Sequence, residues 1–284
     1  MTTSTRIGPA EFAWGSRTYV MGILNVTPDS FSGDGLLAAG DPLDAAVSTA
    51  IRMVDEGADL LDIGGESTRP GHAPVDEAQE SARVVPVIAA VRAALPSTPI
   101  SVDTTKTAVA GAALDAGADL INDVWGVGPG EAMARLAASR RVPYVVMHNR
   151  ARPIYADLIG EIVADLRAAV DRAIRLGVAP EAIVVDPGFG FGKTAEHNLV
   201  LLRELGALRV LGRPILLGTS RKSTLGRVLD LPEDERLEAT LATTALGIAN
   251  GADAVRVHDV RPNVRAARMA DAVVRGTWHP ERVS

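Results

Sequence analysis

No cysteine occurs anywhere in the 284 residues. That excludes a disulfide framework and any thiolate metal site, and it suits a reducing compartment. Aromatic residues make up only 4% of the chain, so Val, Leu, Ile and Ala must fill its core. The net charge is −6 and no tract of Lys and Arg stands out. A footprint for a phosphate backbone is therefore not expected, and no nucleic-acid partner is predicted. No apolar run is long enough to cross a bilayer: the stretch from Val84 to Leu95 is short and is interrupted by Arg92, so no membrane partner is predicted. The first ten residues, M-T-T-S-T-R-I-G-P-A, lack the apolar core of a secretion signal, and a cytoplasmic protein is expected.

What the chain does have is apolar residues, 47% of the total, in short runs separated by longer helical patterns. The runs Tyr19–Leu24, Leu60–Ile63, Ile100–Val102, Leu120–Asn122, Tyr144–Met147, Ile183–Val185, Ile215–Leu217 and Ala254–Val257 are predominantly apolar and mostly β-branched or Leu-rich. Such runs suit strands buried on both faces of a parallel sheet. Between them lie Ala-rich segments with helical spacing: 41–56, 75–95, 105–116, 130–140, 158–176, 195–205 and 262–275. Asp41-Pro42 reads as an N-cap followed by proline in the first turn. Gly-Ala-Asp recurs at 57–59, 117–119 and 251–253, each time after a helix and before a strand. Glycine there can adopt the left-handed conformation that ends a helix. Eight strands alternating with helices over about 250 residues predict a (β/α)₈ TIM barrel of the α/β class, with a doubly wound open sheet as the alternative.

The polar residues follow the strands. Asn25 ends the first; Gly64-Gly65-Glu66-Ser67-Thr68-Arg69-Pro70-Gly71 follows the second. Asp103, Asn122-Asp123, His148 and Asp186 end the next four; Gly218-Thr219-Ser220-Arg221-Lys222 follows the seventh, and the eighth carries Arg256 and His258. A single strand-end Asp is commonly just a helix cap, but in a barrel all these ends converge on the face where active sites are built. Asp103, Asn122, Asp186 and Lys222 together suit a flat heterocycle with several N–H donors and a carbonyl, because buried carboxylates and amides need such partners. Asn25, Thr68, Arg256 and His258 suit a phosphate and a hard cation. Alternation along Arg256-Val257-His258 places the two polar side chains on one side of the strand.

The run Pro187-Gly188-Phe189-Gly190-Phe191-Gly192-Lys193-Thr194 nearly matches a nucleotide-binding P-loop, but Pro187 stands where the first glycine is required, and the dinucleotide spacing is absent as well. Two readings remain: a loop entering a helix with Thr194 as its cap, or a loop that lets backbone approach a planar ligand with Phe191 as a stacking wall. His72, His197 and His279 have no metal-ligand spacing.

Taken in order, M-G-I-L-N-V-T-P-D-S-F-S, D-I-G-G-E-S-T-R-P-G, S-V-D-T, I-N-D-V, D-P-G-F-G-F-G-K-T, S-R-K and R-V-H-D resemble the dihydropteroate synthase family, a group of pterin-binding TIM barrels and the folate-pathway target of sulfonamides. The resemblance runs from Met21 to the last helix. It leaves residues 1–18 as an N-terminal extension before a single barrel domain over 19–284. It implies a reaction that joins 6-hydroxymethyl-7,8-dihydropterin diphosphate to 4-aminobenzoate with release of diphosphate, a Mg²⁺ ion on the leaving group, small-molecule substrates only, and a homodimer. By motif position, Asn25 resembles the Mg²⁺ and diphosphate ligand, and Thr68, Arg256 and His258 resemble diphosphate-binding positions. Asp103, Asn122, Asp186 and Lys222 resemble the pterin-binding set, with Met147 packing on the ring. Phe31, Pro70, Phe191, Lys222 and Ser223 resemble the aminobenzoate site. Two features depart from the family's pattern: Asp34 stands one position from the family's second acidic residue in the first loop, and Trp125 follows the fourth strand where a small residue is expected.

The mechanism so implied is electrostatic. Arg256 and His258 would stabilise charge on the leaving diphosphate, Asp103 and Asp186 the cation left at the pterin methylene, and Lys222 the ring, with no covalent enzyme intermediate. Two alternatives share the barrel: a methyltetrahydrofolate-dependent methyltransferase, which needs a corrinoid partner and no diphosphate clamp, and a degenerate paralogue that binds pterin without catalysis.

Overall fold

The computed structural model describes residues 4–26, 41–66 and 75–278. The barrel strands are β3 (Tyr19–Asn25), β4 (Leu60–Gly64), β5 (Ile100–Asp103), β6 (Leu120–Asp123), β7 (Tyr144–Met147), β8 (Ile183–Asp186), β9 (Leu216–Leu217) and β10 (Ala254–Val257). All pair in parallel, in the order β8-β7-β6-β5-β4-β3-β10-β9, and a bridge from Val185 to Ile215 joins the two ends of the sheet. The expected barrel is therefore present and the open sheet is not. Each strand runs within a residue or so of the apolar run that predicted it.

Around the barrel lie α1 (Pro42–Asp55), α2 (Glu77–Ala94), α3 (Thr107–Asp115), α4 (Ala132–Arg140), α5 (Leu158–Arg175), α6 (Ala195–Arg203), α7 (Ser223–Leu229), α8 (Leu237–Ala249) and α9 (Val260–Val274). The sequence pattern did not single out α7 and α8. One is a two-turn helix, and the other, L-E-A-T-L-A-T-T-A-L-G-I-A, offers little contrast between its faces. Asp41 caps α1 as expected, its carboxylate accepting the Leu43 N–H at 3.0 Å. No helix among the described residues is long and apolar enough to cross a membrane.

The three Gly-Ala-Asp turns share one construction. Gly57, Gly117 and Gly251 take φ of +103°, +113° and +108°, a conformation that costs glycine nothing. The aspartate that follows accepts the backbone N–H that opens a neighbouring strand. Asp59 takes Val20 at 2.8 Å, Asp119 takes Ile100 at 2.9 Å and Asp253 takes Ile215 at 3.0 Å. The repeat thus ends a helix and fixes where the adjacent strand starts.

Strand alternation sorts every barrel residue by face. Leu61, Ile63, Val102, Ile121, Val146, Val185, Leu217 and Val255 point outward and pack in the cluster beneath the helices. Met21, Leu60, Leu120, Val145, Val184, Leu216 and Ala254 point inward and form a separate apolar floor. The segment before residue 19 supplies the underside of that floor. A hairpin of β1 (Ser4–Ile7) and β2 (Ala10–Ala13) turns at Gly8, φ +53°. Its Ile7 and Phe12 are buried against the floor residues, and Phe12 lies 4.5 Å from Tyr19, ring centre to ring centre. The hairpin seals the N-terminal end of the barrel, so only the opposite end is open for chemistry.

Candidate active site at the barrel mouth

Two residues beyond the floor, each strand presents its next inward position. Above Leu60 stands Asp62, above Leu120 Asn122, above Val145 Met147, above Val184 Asp186, above Leu216 Gly218 and above Ala254 Arg256. Asn25 continues the parity of Met21, and Asp103 that of Ser101. With Ile23 above Met21, the layer over the apolar floor is thus mixed: Asp62, Asp103, Asn122, Asp186 and Arg256 are polar, Ile23, Met147 and Gly218 are not, and the strand period puts them there.

Arg256 organises one side of this layer. Its Nε donates to Asp62 Oδ2 at 2.5 Å and its Nη2 to Asp103 Oδ2 at 2.6 Å. Asn122 Nδ2 donates to the same Asp62 oxygen at 3.0 Å. Asp62 is fully buried, and its other oxygen has no hydrogen-bond partner in the structure. One cation therefore faces two buried carboxylates. Burial, opposed by Arg256 and reinforced by Asp62, pushes the Asp103 carboxyl up to about 7. The two carboxylates hold the Arg256 guanidinium firmly in its charged form.

Asp62 carried no role in the sequence reading. It sits inside the apolar run L-L-D-I-G rather than after it, so attention to strand ends passes over it. The available signal was a carboxylate at an inward position of a buried strand.

Across the mouth, Asp186 ends β8. Its Oδ1 accepts the Gly188 N–H at 2.7 Å, and burial pushes its carboxyl up to about 6. Lys222 places Nζ 3.9 Å from the centre of the Phe191 ring, a cation–π contact worth about 0.5–2 kcal/mol. Its charge acts on both Asp103 and Asp186. Met147 is buried beside Asp186, its partner in the β7–β8 register. Asp103, Asn122, Met147 and Asp186 of the sequence-derived pterin set thus share one layer, and the charge of Lys222 reaches its carboxylates from the loop after β9.

His258 lies just past β10, and Ser220 Oγ sits 2.9 Å from its Nδ1 and also accepts its backbone N–H at 3.1 Å. The ring is fixed by a serine rather than capping α9. Ser223 opens α7 on the exposed side of Lys222. Thr68, Phe31, Pro70 and Asp34 lie outside the described residues. Trp125 is 46% exposed, and its backbone N–H donates to Asp123 Oδ1 at 2.9 Å.

The helix-cap reading of the 187–194 run is observed. Thr194 caps α6, accepting the His197 N–H at 3.1 Å, and His197 Nδ1 accepts the Thr194 N–H in return at 3.4 Å. His197 therefore has a structural role. Meanwhile Gly188, Gly190 and Gly192 all take positive φ, and the turn carries Phe191 to Lys222. Half-buried Lys193 donates into this turn, and desolvation lowers it to about 7.

Among the described residues no cluster of three or more His, Asp or Glu side chains is placed to hold a metal ion, and Arg256 occupies the nearest carboxylates. Asn25 offers one neutral oxygen at the rim. That donor set fits an ion that arrives on an anionic ligand and keeps several waters, as Mg²⁺ does, and not a resident metal in a protein cage.

Comparison with known proteins gives one answer. A sequence profile of the family described as pterin binding enzyme matches residues 21–258. The dihydropteroate synthase of Clostridium beijerinckii is 50% identical over 271 residues, 95% of this chain and 99% of the relative. The crystal structure of the Clostridium difficile dihydropteroate synthase with pteroic acid superposes with a TM-score of 0.88 at 49% identity, covering 92% of this chain and 98% of that one. The Xanthomonas albilineans dihydropteroate synthase with 4-aminobenzoic acid gives a TM-score of 0.88 at 41% identity, covering 95% and 98%.

Proposed function

The chain belongs to the pterin binding enzyme family, and we propose that it is a dihydropteroate synthase, joining 6-hydroxymethyl-7,8-dihydropterin diphosphate to 4-aminobenzoate and releasing diphosphate. The observation that carries this is the inward set of Asp103, Asn122 and Asp186, with the charge of Lys222 acting on both carboxylates, in a chain half identical, over nearly its whole length, to a dihydropteroate synthase. Relatives of that name, matched along nearly the whole chain, leave the corrinoid-dependent methyltransferase without support.

The roles follow from the chemistry of the layer. Asp186, held by Gly188, presents a free carboxylate oxygen to the N–H edge of the pterin, and Asn122 and Asp103 extend that acceptor edge. Lys222 donates to the ring and, through Phe191, joins the pterin side to the arylamine side. When the methylene C–O bond breaks, its electron pair leaves with the diphosphate. The positive charge at the methylene is stabilised by Asp103 and Asp186, and the arylamine nitrogen then supplies the pair for the new C–N bond and loses a proton. Arg256 and His258 stand on the leaving-group side of the mouth. Asn25 would help hold a Mg²⁺ ion that arrives on the diphosphate, and such an ion would supply neutralisation of charge on the leaving group. Phe31, Thr68 and Pro70 complete the diphosphate and aminobenzoate walls in this reading.

A homodimer fits the same reading: Leu246 on α8 and Met269, Val273 and Val274 on α9 are exposed apolar side chains on two helices that pack together. A cytoplasmic location fits a substrate that carries a diphosphate and does not cross membranes unaided. The test is a coupled assay of diphosphate release with both substrates. Release that depends on 4-aminobenzoate supports the reaction; binding of the pterin with no release identifies a degenerate paralogue.

A further inference from the structure

We propose that Lys193 is a positioning residue: its ammonium clamps the Gly188–Phe191 turn against β7 and so fixes the Phe191 wall of the second-substrate pocket. The inference rests on the reaction proposed above and concerns a residue to which that reaction assigns nothing.

Lys193 Nζ has three acceptors, one for each proton of its ammonium form and more than the two donors of the neutral amine can use. The acceptors are Gly188 O, Phe191 O and His148 Nδ1, each at 3.0 Å. Gly188 and Phe191 are the two ends of one turn, closed by the Phe191 N–H on Gly188 O at 3.0 Å. Lys193 therefore grips both ends of the turn and anchors them to a side chain on the neighbouring strand's loop.

That anchor is itself fixed. His148 is completely buried and lies 3.2 Å through Nε2 from Asp165 Oδ2. Asp165 accepts only, so the Nε2 position carries the proton and Nδ1 is left as the acceptor that Lys193 needs. Arg150 holds the same Asp165 oxygen through Nε at 3.1 Å and Nη2 at 2.7 Å. Burial and the Lys193 cation hold His148 down near 4, so it is neutral at pH 7. The chain Arg150–Asp165–His148–Lys193 ends in the turn. A second hold comes from Tyr155, whose hydroxyl donates to Gly192 O at 2.8 Å.

The turn is pressed tightly onto the strand. A Cβ at Gly188, φ +68°, would meet the His148 carbonyl oxygen at 1.8 Å. What the clamp positions lies on the turn's far side: the Gly188 N–H on Asp186 and the Phe191 ring under Lys222. Lys193 touches neither reacting group, so its influence passes through Phe191.

The test is a double-mutant cycle on the full chain. Lys193→Met keeps the aliphatic stem and removes all three donors; it is compared with Phe191→Ala and with the double variant, varying 4-aminobenzoate at saturating pterin diphosphate. Lys193→Met is expected to raise KM for 4-aminobenzoate by on the order of tenfold, to change kcat far less, and to add little once Phe191 is Ala. An unchanged KM, or losses that multiply in the double variant, overturns the proposal. If Lys193→Met does not fold, His148→Asn, which keeps an acceptor near the Nδ1 position, should retain the wild-type KM while His148→Phe raises it; equal KM values in the two overturn the proposal. Wild-type enzyme that forms no product sinks the reaction and the clamp's role with it. Wild-type turnover with an unaltered Lys193→Met KM sinks the clamp alone.

Discussion

Arg256 on β10 holds Asp103 on β5 across the open end of the barrel, Nη2 to Oδ2 at 2.6 Å. The same guanidinium holds Asp62 through Nε at 2.5 Å. With one cation between two buried carboxylates, the layer keeps an unbalanced negative charge at the point where the proposed reaction develops a positive one. A carboxylate kept short of counter-charge is costly in the folded protein and useful to a cationic transition state.

The cost has a sign that can be measured. Asp103 titrates near 7 in the folded chain against 3.8 ordinarily. The native state therefore keeps a proton that the unfolded chain has already lost between about pH 4 and 7, and stability falls as pH rises through that window. Asp103→Asn removes the excess charge while Arg256 keeps Asp62. Thermal melts should place Asp103→Asn at or above wild type at pH 8, with the advantage gone by pH 4. A variant that melts below wild type at pH 8, but not at pH 4, contradicts this account.

Removing the cation should do the opposite. Arg256→Met leaves Asp62 and Asp103 buried without the guanidinium that pairs with both, a loss of about 3–5 kcal/mol. The loss should shrink at pH 5, where Asp103 takes up a proton. Urea unfolding at pH 8 and pH 5 reads both values, and equal losses at the two pH values would show that charge is not the cause.

Asp186 stands apart from that trio and has Gly188 as its hydrogen-bond donor. Replacing it with Ala deletes a charge-assisted contact to the pterin edge worth about 3 kcal/mol. Pterin diphosphate affinity should fall roughly a hundredfold, with the circular dichroism spectrum unchanged. Calorimetry that finds wild-type affinity in Asp186→Ala places the pterin elsewhere.

Activity should require a divalent cation, and the apo chain should bind one weakly, because Asn25 offers one neutral oxygen and the nearby carboxylates belong to Arg256. Turnover that survives exhaustive EDTA treatment rules the ion out. Tight Mg²⁺ binding by the chain without diphosphate would instead point to a resident site.

Much of this was legible in the residues themselves. Strand period fixed that Asn122, Asp186 and Arg256 share a face with Leu120, Val184 and Ala254, because alternation is a property of the extended backbone. The Gly-Ala-Asp turns and the caps at Asp41 and Thr194 are equally local, decided by glycine's access to positive φ and by side-chain oxygens within a few residues of the N–H they accept. What the sequence could not contain is pairing at a distance. Arg256 meets Asp62 and Asp103 from 194 and 153 positions away, and only closure of the sheet between β3 and β10 brings them together. The same closure hides Asp62 inside an apolar run, seats the hairpin of residues 4–13 under the floor of the barrel, and sets His148 against Lys193, because closing the sheet brings together residues that chain order keeps apart.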